Sequence, residues 1–211
     1  VRVQTRQENT RLSDCQAEPS RDYITEIWPA TPAGVRPLHL RLPGDFSAAA
    51  FLVVAALVTP GSRLRLNAVG LNPTRTGLLD ALRGMGAQIE ILNQDEQQGE
   101  PVGDLLIQHS ALHATEVSGD LVVRMIDEFP AFAAAAAYAQ GTSLVRDAQE
   151  LRLKESDRIS ALCSELRKLG VSASERQDGF EIEGGKPPHG GTVTAHGDHR
   201  LAMSLALCGL A

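Results

Sequence analysis

The run Met125-Ile-Asp-Glu-Phe-Pro-Ala-Phe-Ala-Ala-Ala-Ala-Ala-Tyr-Ala-Gln-Gly141 passes from an acidic turn into an alanine-rich segment that ends on glycine. Alanine is the strongest helix former, and a proline in the first turn removes no hydrogen bond that the helix would make. The pattern predicts a helix over 129–140, and a helix with almost no polar face belongs inside a core. Asp127 stands at its entrance. It can cap the helix by accepting backbone N–H groups, and a carboxylate kept ionised there also suits a base that takes a proton from a substrate hydroxyl. The two roles are compatible.

Outward from this run the pattern recurs on both sides. Pro43-Gly-Asp-Phe-Ser-Ala-Ala-Ala-Phe51 opens an alanine-rich helix over 47–58, and Gly197-Asp-His-Arg-Leu-Ala-Met-Ser204 opens a third apolar segment. Asp45, Asp127 and Asp198 are thus spaced 82 and then 71 residues apart. Alternating stretches predict strands over 38–42, 64–66, 87–91 and 104–107, with a helix over 78–85 stopped by Gly84-Met-Gly86 and a polar connection over 93–99. The second copy reads as a strand over 121–124, the central helix, a strand over 143–146, a helix over 155–169 closed by Gly170, and strands over 171–173 and 180–182. A strand over 192–195 opens a third. The element order β-α-β-α-β-β repeats, which implies an α/β (α+β) chain of two full repeats, about 37–110 and 111–190, and part of a third, 191–211. Residues 1–36 read as polar and irregular. If the repeats pack about one axis, three helix starts converge, and their positive ends form an anion-attracting cavity.

Composition bounds the function. With 20 basic against 26 acidic side chains, net −6, the chain lacks the basic excess of a general nucleic-acid binder, though a local basic pocket remains open. Hydrophobic residues at 43% with aromatics at only 4% imply a core of Ala, Leu, Val and Ile in a globular protein. No apolar run reaches the roughly 18–20 residues of a membrane span, and no signal peptide is evident. Cys15, Cys163 and Cys208 are widely spaced, which suits reduced thiols in the cytoplasm rather than disulfides. The chain starts at Val1 and stops inside an apolar run, which implies a piece of a longer protein.

The densest charged cluster is Glu150-Leu-Arg-Leu-Lys-Glu-Ser-Asp-Arg158. If a helix begins at Glu155, then Lys154 sits at its entrance and Arg158 one turn along the same side. Two such cations suit a phosphate, or a phosphate plus a carboxylate, and Glu155 beside them can serve as acid or base. The same charges also fit a solvated, salt-bridged helix start. Arg200, in His196-Gly-Asp-His-Arg200, adds a cation at the third helix start. The His196–His199 and His109–His113 pairs are weak metal signals, so no metal is expected. No dinucleotide fingerprint, phosphate-binding glycine loop, GxSxG elbow or Cys-His pair is present.

Five runs in order resemble the C-terminal half of the 5-enolpyruvylshikimate-3-phosphate synthases, of the enolpyruvyl transferase family. They are Pro43-Gly-Asp-Phe-Ser-Ala-Ala-Ala-Phe51, Asn72-Pro-Thr-Arg-Thr-Gly-Leu78, Met125-Ile-Asp-Glu-Phe-Pro130, Leu151-Arg-Leu-Lys-Glu-Ser-Asp-Arg158 and Gly197-Asp-His-Arg-Leu-Ala-Met-Ser204. The resemblance implies two domains of three repeats each around a pseudo-threefold axis, an inside-out barrel. It also implies transfer of the enolpyruvyl group of phosphoenolpyruvate to the 5-hydroxyl of shikimate 3-phosphate, by addition then elimination of phosphate, without metal or cofactor. By motif, Asp127 corresponds to the proton acceptor at the shikimate hydroxyls, Lys154 to the lysine at the reacting centre, and Glu155 to the acid for the phosphoenolpyruvate methylene. Arg158 and Arg200 correspond to phosphoenolpyruvate-binding arginines, and Arg21, in Ser20-Arg-Asp-Tyr23, to a shikimate 3-phosphate contact. Residues 1–36 then count as the end of an N-terminal domain and linker, and 37–211 as the C-terminal domain. The partner implied is the missing N-terminal domain, without which the cleft is incomplete and this chain alone is expected to be inactive or nearly so. The alternatives are a non-catalytic folded fragment or complementation partner, a transferase acting on UDP-N-acetylglucosamine, and, remotely, a nucleic-acid-end-processing relative.

Overall fold

The structure, a computed structural model, describes residues 2–9, 21–28, 41–97 and 99–210, the first two segments by backbone alone. The chain divides into two compact units, Val1–Arg41 and Leu42–Ala211. In the first, β1 (Arg2–Asn9) and β2 (Arg21–Trp28) pair antiparallel along their whole length, from Arg2 opposite Trp28 to Asn9 opposite Arg21. This corrects the expectation of an irregular segment: a ladder is fixed by its cross-strand partner, and polar strands carry little alternation to read. Of the strand expected over 38–42, residues 38–40 lie outside the described residues, and Leu42 is exposed and unpaired in the ladder.

The second unit follows the repeat. Gly44 makes a parallel bridge to Val69, then come α1 (Phe46–Val58), β3 (Arg63–Gly70), α2 (Gly77–Gly84), β4 (Gln88–Gln97) and β5 (Glu100–Gln108). The second repeat holds β6 (Glu116–Val117), the single turn α3 (Asp120–Arg124), α4 (Phe129–Tyr138), β7 (Thr142–Val145), a 3-10 turn over Gln149–Leu153, α5 (Arg158–Lys168), β8 (Ser172–Arg176) and β9 (Gly179–Glu183). From the third comes α6 (His199–Leu207). The sheet orders are β3-β5-β4 and β6-β7-β9-β8. With the Gly44 bridge counted as the missing first strand, the two sheets have the same order and the same single parallel pairing. That identity of topology is stronger evidence of repetition than the element order read from sequence.

The inner helices α1, α4 and α6, one per repeat, pack on one another, while β3 and β5 cover α1 and β9 covers α4. α4 is buried on every side, as its lack of a polar face requires; Ala131 and Ala133–Ala137 are at most 1% exposed. Small side chains there let neighbouring elements approach closely. Gly184 is the extreme case, since a Cβ there would collide with the carbonyl oxygens of Ala136 and Ala139. α2 and α5 are amphipathic and lie outside, α5 burying Ile159, Leu162 and Leu166.

Four expected elements are corrected. Residues 121–124 form the helical turn α3 instead of a strand, because four apolar residues do not separate the two periods and β6 already pairs with β7. The polar stretch 93–99 is largely the end of β4, paired with β5. The helix expected from Glu155 starts at Arg158, with Asp157 as its cap, so Lys154 follows the 3-10 turn instead of opening α5. Residues 192–195 form no strand. The Thr194 N–H donates to the Glu165 carboxylate at 2.8 Å instead of to a ladder.

Candidate active site

The N-terminal ends of the three inner helices meet. Asp45 caps α1, its carboxylate accepting from the Ser47 and Ala48 N–H groups, and Asp198 caps α6 by accepting from Arg200 and Leu201. Asp127 does not cap α4, which corrects the sequence reading: the capping position is Glu128, and no side chain bonds the first turn. Asp127 is therefore free to point elsewhere. Its carboxylate lies among four cations, Arg200 Nη2 at 3.6 Å, Arg158 Nη1 at 3.7 Å, and Lys154 Nζ and Arg75 Nη2 at 3.9 Å. All four distances exceed a hydrogen bond, so its oxygens can still accept one.

Arg158 is fully buried. Its Nε donates to Asp198 Oδ2 at 2.7 Å and its Nη2 to Glu155 Oε2 at 2.6 Å. Asp198, also fully buried, would be raised by burial, but the Arg158 guanidinium and the capped N–H groups outweigh this and hold it below the usual carboxylate range. Arg200 donates from Nη1 to the Asp127 backbone carbonyl at 3.1 Å. Lys154 Nζ lies 3.1 Å from Glu150 Oε1, and half-exposed Glu155 is held by Arg158. The structure thus brings together Asp127, Lys154, Glu155, Arg158 and Arg200. The side chain of Arg21, the first residue of β2, lies outside the described residues.

Two donors in this cluster, Arg158 Nη1 and Arg200 Nε, are buried without a hydrogen-bond partner among the described residues. Leaving a charged donor unsatisfied is costly, so such atoms mark a place where an anion is favoured. A pocket of about 180 Å³ opens at the α1 entrance against Asp45, Gly70, Asn72 and Arg75. A larger cavity of about 370 Å³ lies elsewhere, between Leu169, His189 and Cys208, and no carboxylate or guanidinium lines it.

Sequence reasoning missed three members. Glu128 is buried, and its Oε1 accepts from Ser47 Oγ at 2.5 Å. Burial pushes its carboxyl up, with the Ser47 hydrogen bond opposing and the Asp127 charge assisting. Ser47 Oγ in turn accepts from Arg75 Nη2 at 3.1 Å. Arg75 stood in a quoted motif without a role, and Glu128 was overshadowed by its neighbour. His196 Nε2 contacts Glu165 Oε1 at 2.9 Å and His109 Nδ1 the Leu57 carbonyl at 2.8 Å.

A family model described as EPSP synthase (3-phosphoshikimate 1-carboxyvinyltransferase) matches residues 23–211. The chain belongs to that family. A 3-phosphoshikimate 1-carboxyvinyltransferase of Carboxydothermus hydrogenoformans is 57% identical over 169 residues, 80% of this chain and 40% of the relative. One of Citrifermentans bemidjiense is 54% identical over the same number of residues, 80% of this chain and 39% of the relative. Among solved structures, the EPSP synthase of Acinetobacter baumannii superposes with a TM-score of 0.78 at 42% identity, covering 80% of this chain and 40% of that one. The enolpyruvyl transferase NikO of Streptomyces tendae, at 21% identity and a TM-score of 0.58, shares the fold. The mixed helix-and-sheet repeats expected from sequence agree with these family structures. The chain spans about two fifths of the length of the curated relatives it matches.

Proposed function

We propose that this chain supplies the C-terminal half of an enzyme that transfers the enolpyruvyl group of phosphoenolpyruvate to the 5-hydroxyl of shikimate 3-phosphate. The observation that carries the reading is the pair of buried, unpartnered donors, Arg158 Nη1 and Arg200 Nε, beside a carboxylate that makes no hydrogen bond among the described residues. Two anionic substrates need such donors, and a hydroxyl nucleophile needs such an acceptor. The names of the relatives point the same way.

In the addition step, Asp127 accepts the hydroxyl proton as the oxygen bonds to C2 of phosphoenolpyruvate, and Glu155 delivers a proton to the methylene carbon. The product is a tetrahedral phosphate-bearing intermediate. In the elimination step, the new methyl group returns a proton to Glu155, the carbon–carbon double bond reforms, and phosphate leaves with the electron pair of its C–O bond and takes up the proton held by Asp127. Arg158 and Arg200 hold the phosphoenolpyruvate anion. Lys154 neutralises charge beside Asp127, and Arg21 contributes to shikimate 3-phosphate binding. The reaction draws on no metal or cofactor. The N-terminal domain, of which residues 1–36 are the end, completes the cleft on 37–211, and the whole works in the cytoplasm.

The test is phosphate release from the two substrates, for the chain alone and with an added N-terminal half from the Carboxydothermus relative. The chain alone is expected to release none, and the pair to turn over. Asp127→Ala and Glu155→Ala should each cost the pair on the order of 10²–10⁴-fold. Turnover by the chain alone would overturn the half-enzyme reading, and near-normal rates in both variants would overturn the assigned roles.

A further inference from the structure

Of the aspartates Asp45, Asp127 and Asp198, Asp127 is the one that no capping bond among the described residues holds in place, yet it must sit squarely between cations for the proposed chemistry. What holds it? Its own backbone carbonyl is tied to Arg200. Its neighbour Glu128 reaches across to α1, where Ser47 Oγ donates to its carboxylate, and Ser47 accepts from Arg75, which also approaches Asp127. Ser47 is itself immobilised, because it lies in the first turn that Asp45 caps. We propose that Glu128 is a positioning residue: its carboxylate, tied through Ser47 to Arg75, locks the Asp127 turn onto α1 and makes Arg75 a fourth cation of the anion site. The inference rests on the reading of this site as a phosphoenolpyruvate site.

The hydrogen bond and the charge of Glu128 make opposite demands. A negative charge with Arg200 Nη1 3.9 Å away weakens anion binding by itself. A carboxylate kept there therefore serves geometry. Removing the side chain should loosen Asp127 and Arg75, whereas an amide, whose oxygen still accepts from Ser47, should preserve them.

The test uses the 211-residue chain, 15N-labelled, with the Nε–Hε signals of Arg75, Arg158 and Arg200 each assigned by an Arg→Lys variant. Phosphoenolpyruvate is the ligand titrated. Glu128→Ala and Ser47→Ala should each weaken its binding about fivefold or more, while Glu128→Gln stays within about twofold of the parent. A merely structural loss would lower the melting temperature and leave the dissociation constant unchanged, which would overturn the proposal. Equal losses for Gln and Ala at position 128 would overturn it as well. If phosphoenolpyruvate moves neither the Arg158 nor the Arg200 signal of the parent, the functional reading fails. The network is still decided without ligand: the Arg75 signal should broaden in Glu128→Ala and Ser47→Ala and stay sharp in Glu128→Gln. An unchanged Arg75 signal in all three would end the proposal.

Discussion

The Arg158 guanidinium has Asp198 on one edge, Glu155 on another and Nη1 turned toward Asp127, all in a side chain with no solvent exposure. Truncating one member of a buried ion pair leaves the other charge uncompensated, a loss of about 3–5 kcal/mol. Arg158→Met should therefore destabilise the chain by about 3 kcal/mol or more in urea unfolding, and abolish phosphoenolpyruvate binding. Arg158→Lys should also fail, because an ammonium cannot serve the carboxylates on two edges at once. The charge pattern of 150–158 fitted a solvated helix start as well as an anion site. Depth separates the two, and depth is not a property of nine residues in a row. The cysteines illustrate the same point, since burial pushes the Cys163 and Cys208 thiols up to about 11. Neither should react with a soluble alkylating agent in the folded chain at neutral pH, as mass spectrometry would show.

Two connections between elements depend on carboxylates. Glu165, on α5, is fully buried and accepts from Lys168 Nζ, the Thr194 N–H and His196, strapping the segment before α6 to the outer helix. Burial would raise it, but these donors outweigh that and take it from 4.5 to about 2. Asp104 ties the bulge of β3 to β5 by accepting from Arg65, the Ala68 N–H and Asn93, which lower it from 3.8 to about 2. Both groups are depressed on folding, so the unfolded chain binds more protons in this range. Their contribution is present in full above about pH 4.5 and is lost as pH falls through about 2. The urea midpoint should fall across that window. Glu165→Gln and Asp104→Asn should each be less stable at pH 7 and show a shallower fall; an unchanged slope would contradict the assignment. At the joint between α4 and β9, Gly184→Ala should cost about 1–3 kcal/mol by driving a Cβ into the α4 carbonyls, read as a lower melting temperature.

The three inner helices are covered unevenly. Sheets pack on α1 and α4, but Ala48 and Leu52 on α1, Ala202, Met203 and Ala206 on α6, and Leu210 just after it are exposed, with Leu52 at 52% and Leu210 at 51%. Exposed apolar surface binds hydrophobic dyes and promotes association. The chain should enhance the fluorescence of anilinonaphthalene sulfonate, and Leu52→Lys with Met203→Lys should remove most of that signal without lowering the melting temperature. Among the described residues no helix is long and apolar enough to cross a membrane. The amino-acid order by itself determined the repeat, because helix propensity, capping aspartates and glycine stops act within a few residues, and it singled out Asp127, Lys154, Glu155, Arg158 and Arg200. Only the tertiary structure decided that Asp45 and Asp198 cap while Asp127 does not, that β1 and β2 pair, and that Arg75, Ser47 and Glu128 join the site. The last of these depends on Ser47 and Glu128, 81 positions apart, being brought within hydrogen-bond distance, and such proximity is set by how the inner helices pack, not by any local preference.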